Sequence, residues 1–199
     1  MRTADLAAYF RLLHRYYSRM LTRVDASEWP AFEVFANSDL ARENQRLHAA
    51  VLRIAQAPEF DIRSFEHHFN RLFVGPEELL AAPYETVYLA GDRVLMRDAT
   101  MRVRRAYEEA GMQVGARNVE PDDHFAYECA FMAYLAEQDD DRADQAFASF
   151  ARKHFGRWAP AHVVAVRENT SNEVSLGFAD LLEAINSIVQ NQLITTFNQ

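Results

Sequence analysis

The sequence predicts an all-α protein, a single globular helical bundle, and three observations carry that expectation. Apolar residues recur at helical spacing along most of the chain. Only 6 Gly and 6 Pro interrupt 199 residues, too few turn formers for a many-stranded sheet. Hydrophobic residues make up 49%, enough for a real core and too many for global disorder. No internal repeat, low-complexity segment or long linker divides the chain. Residues 1–199 therefore read as one domain with an irregular segment at about 74–97.

Leu6, Tyr9, Phe10, Leu13, Tyr16, Tyr17, Met20, Leu21 and Val24 outline an amphipathic first helix. A short helical piece around Phe32 to Ala36 follows Pro30. Asp39 opens a segment with Leu40, Leu47, Val51 and Ile54 on one side, ending before Pro58. Asp61 is placed to cap the next helix, whose stripe of Ile62, Phe65, Phe69, Leu72 and Phe73 stops at Gly75-Pro76. Asp98 looks like the N-cap of a helix carrying Val103, Ala106, Tyr107 and Ala110, stopped by Gly111. From Asp122 the run DDHFAYECAFMAYLAEQ is apolar nearly all round, with Glu128 its only interior charge. That is the pattern of a central helix with others packed around it. Ala143, Phe147, Phe150, Ala151 and Phe155 mark a helix ending at Gly156, and a shorter one follows Pro160. The last begins near Glu173 and carries Val174, Phe178, Leu181, Leu182, Ile185, Ile188 and Val189.

Composition narrows the function. Lys+Arg total 21 against Asp+Glu 29, a formal net charge of -8, which disfavours nucleic acid and anionic lipid. The balance serves ordinary solvation or weak steering of cationic peptides. One cysteine, Cys129, excludes an intramolecular disulfide and a Cys-based zinc site, and its apolar surroundings suit a buried inert thiol. Asp5 and Arg11 interrupt any signal-like core at the start, and no stretch approaches a membrane span. The expectation is a soluble cytoplasmic protein, in which the sequon at Asn169 is idle.

Catalytic signatures are scarce. GxGxxG, P-loop and Gly-x-Ser-x-Gly patterns are absent. His67 and His68 point to different helix faces, and His14, His48, His154 and His162 lack an HExxH-like partner. A helical metal-dependent phosphohydrolase could draw ligands from His67, His68, Asp122, Asp123 and His124, but the ordered His-Asp pair typical of such sites is missing. No catalytic residue and no metal site is therefore expected.

Two stretches carry more information. Glu120-Pro121-Asp122-Asp123-His124 is ordinary helix-start chemistry on one reading. On the other, three carboxylates and an imidazole exceed what a cap needs and could hold a guanidinium of a docking chain. RLFVGPEELLAAPYETVY, Arg71 to Tyr88, is dense in helix breakers yet rich in apolar and aromatic side chains. Either Leu79, Leu80, Tyr84 and Tyr88 fold back as a lid, or they rim a groove for an apolar peptide.

Both motifs resemble those of the TorD/DmsD cytoplasmic chaperones of molybdoenzyme maturation. RLFVGP followed by PYETVY is similar to the family's Leu-Phe, Gly-Pro, Pro-aromatic-x-Ser-Val-aromatic pattern, and EPDDH to its Glu-Pro-x-Asp-His. Thr86 replaces the usual Ser, and Tyr84 and Tyr88 stand where some members carry Trp. The resemblance implies an all-helical TorD-like fold, no chemistry and no cofactor. It implies a chaperone that binds the apo catalytic subunit of a molybdopterin-dependent oxidoreductase through its twin-arginine signal peptide. Such a protein assists cofactor insertion and delays Tat export. Carried over by position, Leu72, Phe73, Gly75, Pro76, Pro83, Tyr84 and Tyr88 would line the peptide groove. Glu120, Asp123 and His124 would form its polar edge, and Tyr16 would share its wall. Family members occur as monomers or exchanged homodimers. Guanine nucleotide has been linked to relatives, without a signature residue here. A helical adaptor with an unrelated client is the remaining alternative.

Overall fold

The computed structural model of the chain describes residues 4–89, 98–115 and 120–197. Its first helix is shorter than its apolar stripe. α1 (Ala4–Tyr17) ends where Arg19 adopts φ 64, and a 3-10 segment (Met20–Arg23) continues the stripe. A left-handed non-glycine residue cannot be followed through in an α-helix, so the stripe bends. A second 3-10 segment (Ala26–Asn37) contains Pro30 and buries Trp29 and Phe32. The segment expected as one helix from Asp39 is two, α2 (Asp39–Glu43) and α3 (Gln45–Ala55). The Asn44 side chain accepts from the Leu47 amide and opens the second.

α4 (Glu59–Phe73) starts two residues before Asp61. Asp61 is not its cap. Its carboxylate accepts from the Glu173 amide (3.3 Å) and the Asn172 side chain (3.2 Å), fixing the start of the last helix instead. After the irregular stretch come α5 (Glu85–Leu89), α6 (Asp98–Glu109) and α7 (Phe125–Glu137). Gly111 ends α6 at φ 76, as expected, while the expected Asp98 cap involves a side chain outside the described residues. α8 (Asp141–Lys153) stops before Gly156, and α9 (Phe155–Asn169) runs straight through Pro160. Gly156 is needed for contact, since a Cβ there would stand 2.6 Å from the Ala151 carbonyl and closer still to Gln190. α10 (Glu173–Phe197) closes the bundle.

One hydrophobic cluster extends from Leu6 to Leu193. α7 lies inside it against α1 and α8, with Phe125, Cys129 and Met132 fully buried. Each such side chain contributes about 1.5–3 kcal/mol before ordering costs. The all-α expectation holds. Among the described residues the only β pairing is an isolated bridge between Tyr84 and His124, and no helix is long and apolar enough to cross a membrane.

Candidate functional site

That bridge fastens the irregular stretch to the head of α7. Gly75, at φ 98, donates to the Asn70 carbonyl (3.0 Å) and ends α4 in a conformation that a side chain would strain. The chain turns back as the Ala81 amide meets the Leu72 carbonyl at 3.0 Å. It then runs beside the start of α7. The Phe125 amide donates to the Pro83 carbonyl at 2.8 Å, and the Glu85 amide to the Asp123 carbonyl at 3.2 Å. The elbow of residues 79–89 and the carboxylate-rich helix head are therefore one unit.

Its polar groups mostly serve each other. Asp123 accepts from the Thr86 amide (2.9 Å), the Thr86 hydroxyl (2.7 Å) and the Thr100 hydroxyl (2.8 Å), joining α5, α6 and α7 through one buried carboxylate. Asp122 pairs with Arg104, and its carbonyl accepts from the Tyr107 hydroxyl at 3.1 Å. Neither carboxylate caps α7. His124 does so, its Nδ1 accepting from the Ala126 amide at 3.1 Å. Burial lowers the His124 pKa to about 4, so the ring is neutral at physiological pH with its proton on Nε2.

Deeper in, Glu85 on α5 accepts from His154 Nδ1 at 2.9 Å and neighbours Glu128 of α7. Burial, and then the Glu85 charge, push the Glu128 carboxyl well up, while the Trp158 indole donates to it at 3.2 Å. His162 lies between the hydroxyls of Tyr17 (2.9 Å) and Tyr88 (3.1 Å), held neutral by burial with a pKa of about 3. A neutral imidazole offers one donor and one acceptor, and the Ala82 backbone competes with the tyrosines for them.

Of the eleven expected contact residues, five are interior. Tyr16 is stacked between Phe65 and Phe178, Leu72 and Phe73 belong to the core, and Pro83 and Asp123 are buried. The open groove that would include them is thus filled by the protein's own side chains. Gly75, Pro76, Tyr84, Tyr88, Glu120 and His124 keep surface. Tyr84 connects two of them, Glu120 and His124: its hydroxyl donates to Glu120 at 2.6 Å, and its ring meets His124 edge-on at 5.1 Å. Tyr127 packs on the other side of His124, a neighbour that sequence motifs did not single out.

Glu85, His154 and His162 were legible only as unpaired polar residues, because their partners lie 69 and more positions away. Glu128 did announce itself as the sole charge inside α7. No group of three or more His, Cys, Asp or Glu among the described residues is arranged to hold a metal. His68 meets Thr170 and Asp123 meets Thr86 and Thr100, so the phosphohydrolase ligand set does not assemble.

Comparison with known proteins adds to this geometry. The profile of the nitrate reductase delta subunit family matches residues 36–163. Over 76 residues the chain is 37% identical to the Tat proofreading chaperone DmsD of Salmonella typhimurium, covering 38% of this chain and 37% of that one. Over 97 residues it is 28% identical to the probable Tat proofreading chaperone DmsD of Haemophilus influenzae, covering 49% and 46%. The matched stretches span less than half of these relatives. A crystal structure of a putative redox enzyme maturation protein from Archaeoglobus fulgidus superposes with a TM-score of 0.55 at 15% identity, over 96% of this chain and 95% of that one. That likeness concerns the fold.

Proposed function

The chain belongs to the nitrate reductase delta subunit family, and from that premise we propose that it is a molybdoenzyme maturation chaperone whose elbow receives a twin-arginine signal peptide. One observation carries the reading: Tyr84, joined to Glu120 and packed on His124, holds an aromatic face and a carboxylate together at the surface end of the elbow. A signal of this kind has a cationic end followed by an apolar, helix-prone run. Glu120 is the accessible carboxylate for a guanidinium, which it would accept in exchange for the Tyr84 hydroxyl. Released, Tyr84 and the neighbouring Tyr88 and Tyr127 offer flat apolar area at small rotamer cost.

Roles divide by exposure. Tyr84, Tyr88, Glu120 and His124, with Gly75 and Pro76 at the turn, are the direct contacts. Asp123, Pro83, Leu72, Phe73 and Tyr16 are positioning residues that set the elbow's place. The apolar run would need more surface than the closed elbow exposes, so binding includes a loosening of α5 from the core. The client is the unfinished catalytic subunit of a molybdopterin-dependent oxidoreductase, the compartment is the cytoplasm, and no bond is made or broken.

Titration calorimetry with a synthetic twin-arginine signal peptide tests this. Tyr84→Ala and Glu120→Gln should each weaken binding about tenfold, the scale of one lost charge-assisted bond or aromatic anchor, with thermal unfolding little changed. Unchanged affinity in both variants would remove the elbow from the contact surface.

A further inference from the structure

A second opening lies between α6, α7 and α8, with a volume of about 740 Å³. Its floor is apolar: Phe131 and Leu135, one turn apart on α7, backed by Tyr107 stacked over Phe150. Its walls are small, with Ala106 on α6 facing Ala146 on α8. The two walls meet at one end, where the Arg142 guanidinium donates to the Glu109 carbonyl at 2.6 Å. Around the mouth stand Arg102, Arg105 and Lys153, all exposed, and none has an ion-pair partner among the described residues. Asp140, at the Arg142 end, caps α8 through the Ala143 amide, and Glu109 lines the same end. Three cations without an ion-pair partner among the described residues, together with Arg142, outnumber the lining carboxylates Glu109 and Asp140, a local reversal on a chain of net charge -8.

We propose that this cleft docks an acidic amphipathic helix from a partner protein. The backbone around it is helical, with its N–H and C=O groups already bonded, so an extended peptide laid on the apolar floor would leave its own backbone unpaired. A helix satisfies itself. Small walls let its backbone come close, and floor anchors one turn apart match side chains at i and i+4. The cationic rim selects carboxylates on the polar face and repels the arginine end of a twin-arginine signal. The assignment is therefore independent of the elbow. Nucleic acid fits poorly, because the apolar floor gives a phosphate backbone nothing to bind.

The test uses the full chain and a labelled peptide of about 18 residues, five helical turns, with Leu and Phe on one stripe and Glu elsewhere. Its Lys counterpart is the control. Fluorescence anisotropy should show the Glu peptide binding, with affinity falling as salt rises. Arg102→Glu with Arg105→Glu should weaken it about tenfold or more through reversed electrostatics. Ala146→Trp, which fills the cleft without touching a rim charge, should abolish it, while the twin-arginine peptide binds both variants normally. Absence of binding to the native chain, equal binding of the Lys peptide, or variants within twofold of native would overturn the proposal. So would sedimentation showing that the cleft is occupied by a second copy of this chain, released by the same charge reversal.

Discussion

The elbow and the α6–α8 cleft stand at opposite extremes of how a helical protein spends its polar side chains. At the elbow, Asp123, Glu85, Glu128, His154 and His162 are buried and bonded to one another or to Thr86, Thr100, Trp158, Tyr17 and Tyr88. At the cleft, Arg102, Arg105 and Lys153 ring an apolar floor in water. Satisfied buried groups specify a shape and are costly to disturb. Exposed unpaired charges cost little to change in the free protein and matter when something arrives. Polar side chains thus report architecture in one place and recognition in the other.

The contrast is sharpest in stability. Asp123→Ala should be the most damaging change, about 3–5 kcal/mol by urea denaturation, because it leaves three buried donors without an acceptor. A loss under about 1 kcal/mol would mean that the elbow is not held from Asp123.

Acid should act next, through one buried and one largely buried imidazole. His124 and His162 have folded pKa values of about 4 and about 3, below the ordinary 6.5, so the unfolded chain binds protons that the folded one refuses. Their contribution is complete above pH 6.5 and fades as pH falls toward 4 and then 3. The melting temperature should drop across that window, and His162→Asn should flatten the slope, whatever it does to the melting temperature at neutral pH.

Glu85→Gln should cost about 1–2 kcal/mol, since it disturbs the buried hydrogen bond to His154. Glu128→Gln should cost less, because burial and the neighbouring Glu85 disfavour the charged carboxylate and an amide carries no charge. With its carboxyl shifted upward, the native protein loses the Glu128 contribution as pH rises above the ordinary carboxylate value of 4.5, so the Gln variant should be relatively favoured on that side. Equal pH profiles for the native protein and the Gln variant would contradict the upward shift of Glu128.

The smallest effect should come from the cleft. Reversing Arg102 and Arg105 together should leave stability within about 0.5 kcal/mol of native, as expected for unpaired surface charges. A larger loss would show that the rim serves the fold.

Much of this organisation was legible in the residues. The 3.6-residue stripes of Phe65–Phe69–Leu72 and of Phe178–Leu181–Ile185 found their helices because periodic burial is a local signal. EPDDH and the Tyr-Pro elbow did come together. What the pattern could not convey is direction. Asp61 looked like the cap of its own helix but caps one 112 residues away, and Asp122 and Asp123 looked like surface anions but serve Arg104 and two threonines. Leu72, Phe73 and Tyr16 were placed at the groove by the family resemblance, and position alone does not tell whether an apolar side chain faces a ligand or the core. The cleft left no trace in the sequence, since Arg102, Arg105 and Lys153 are ordinary helix-surface residues until α6 and α8 are seen to stand on either side of Phe131.

Photo-cross-linking separates the two surfaces most directly. A twin-arginine signal peptide carrying a photoreactive phenylalanine in its apolar run, mixed with the full chain and mapped by mass spectrometry, should label residues 76–89 and 120–127. Labelling confined to residues 102–110 and 142–150 would contradict the elbow as the place where the signal is received.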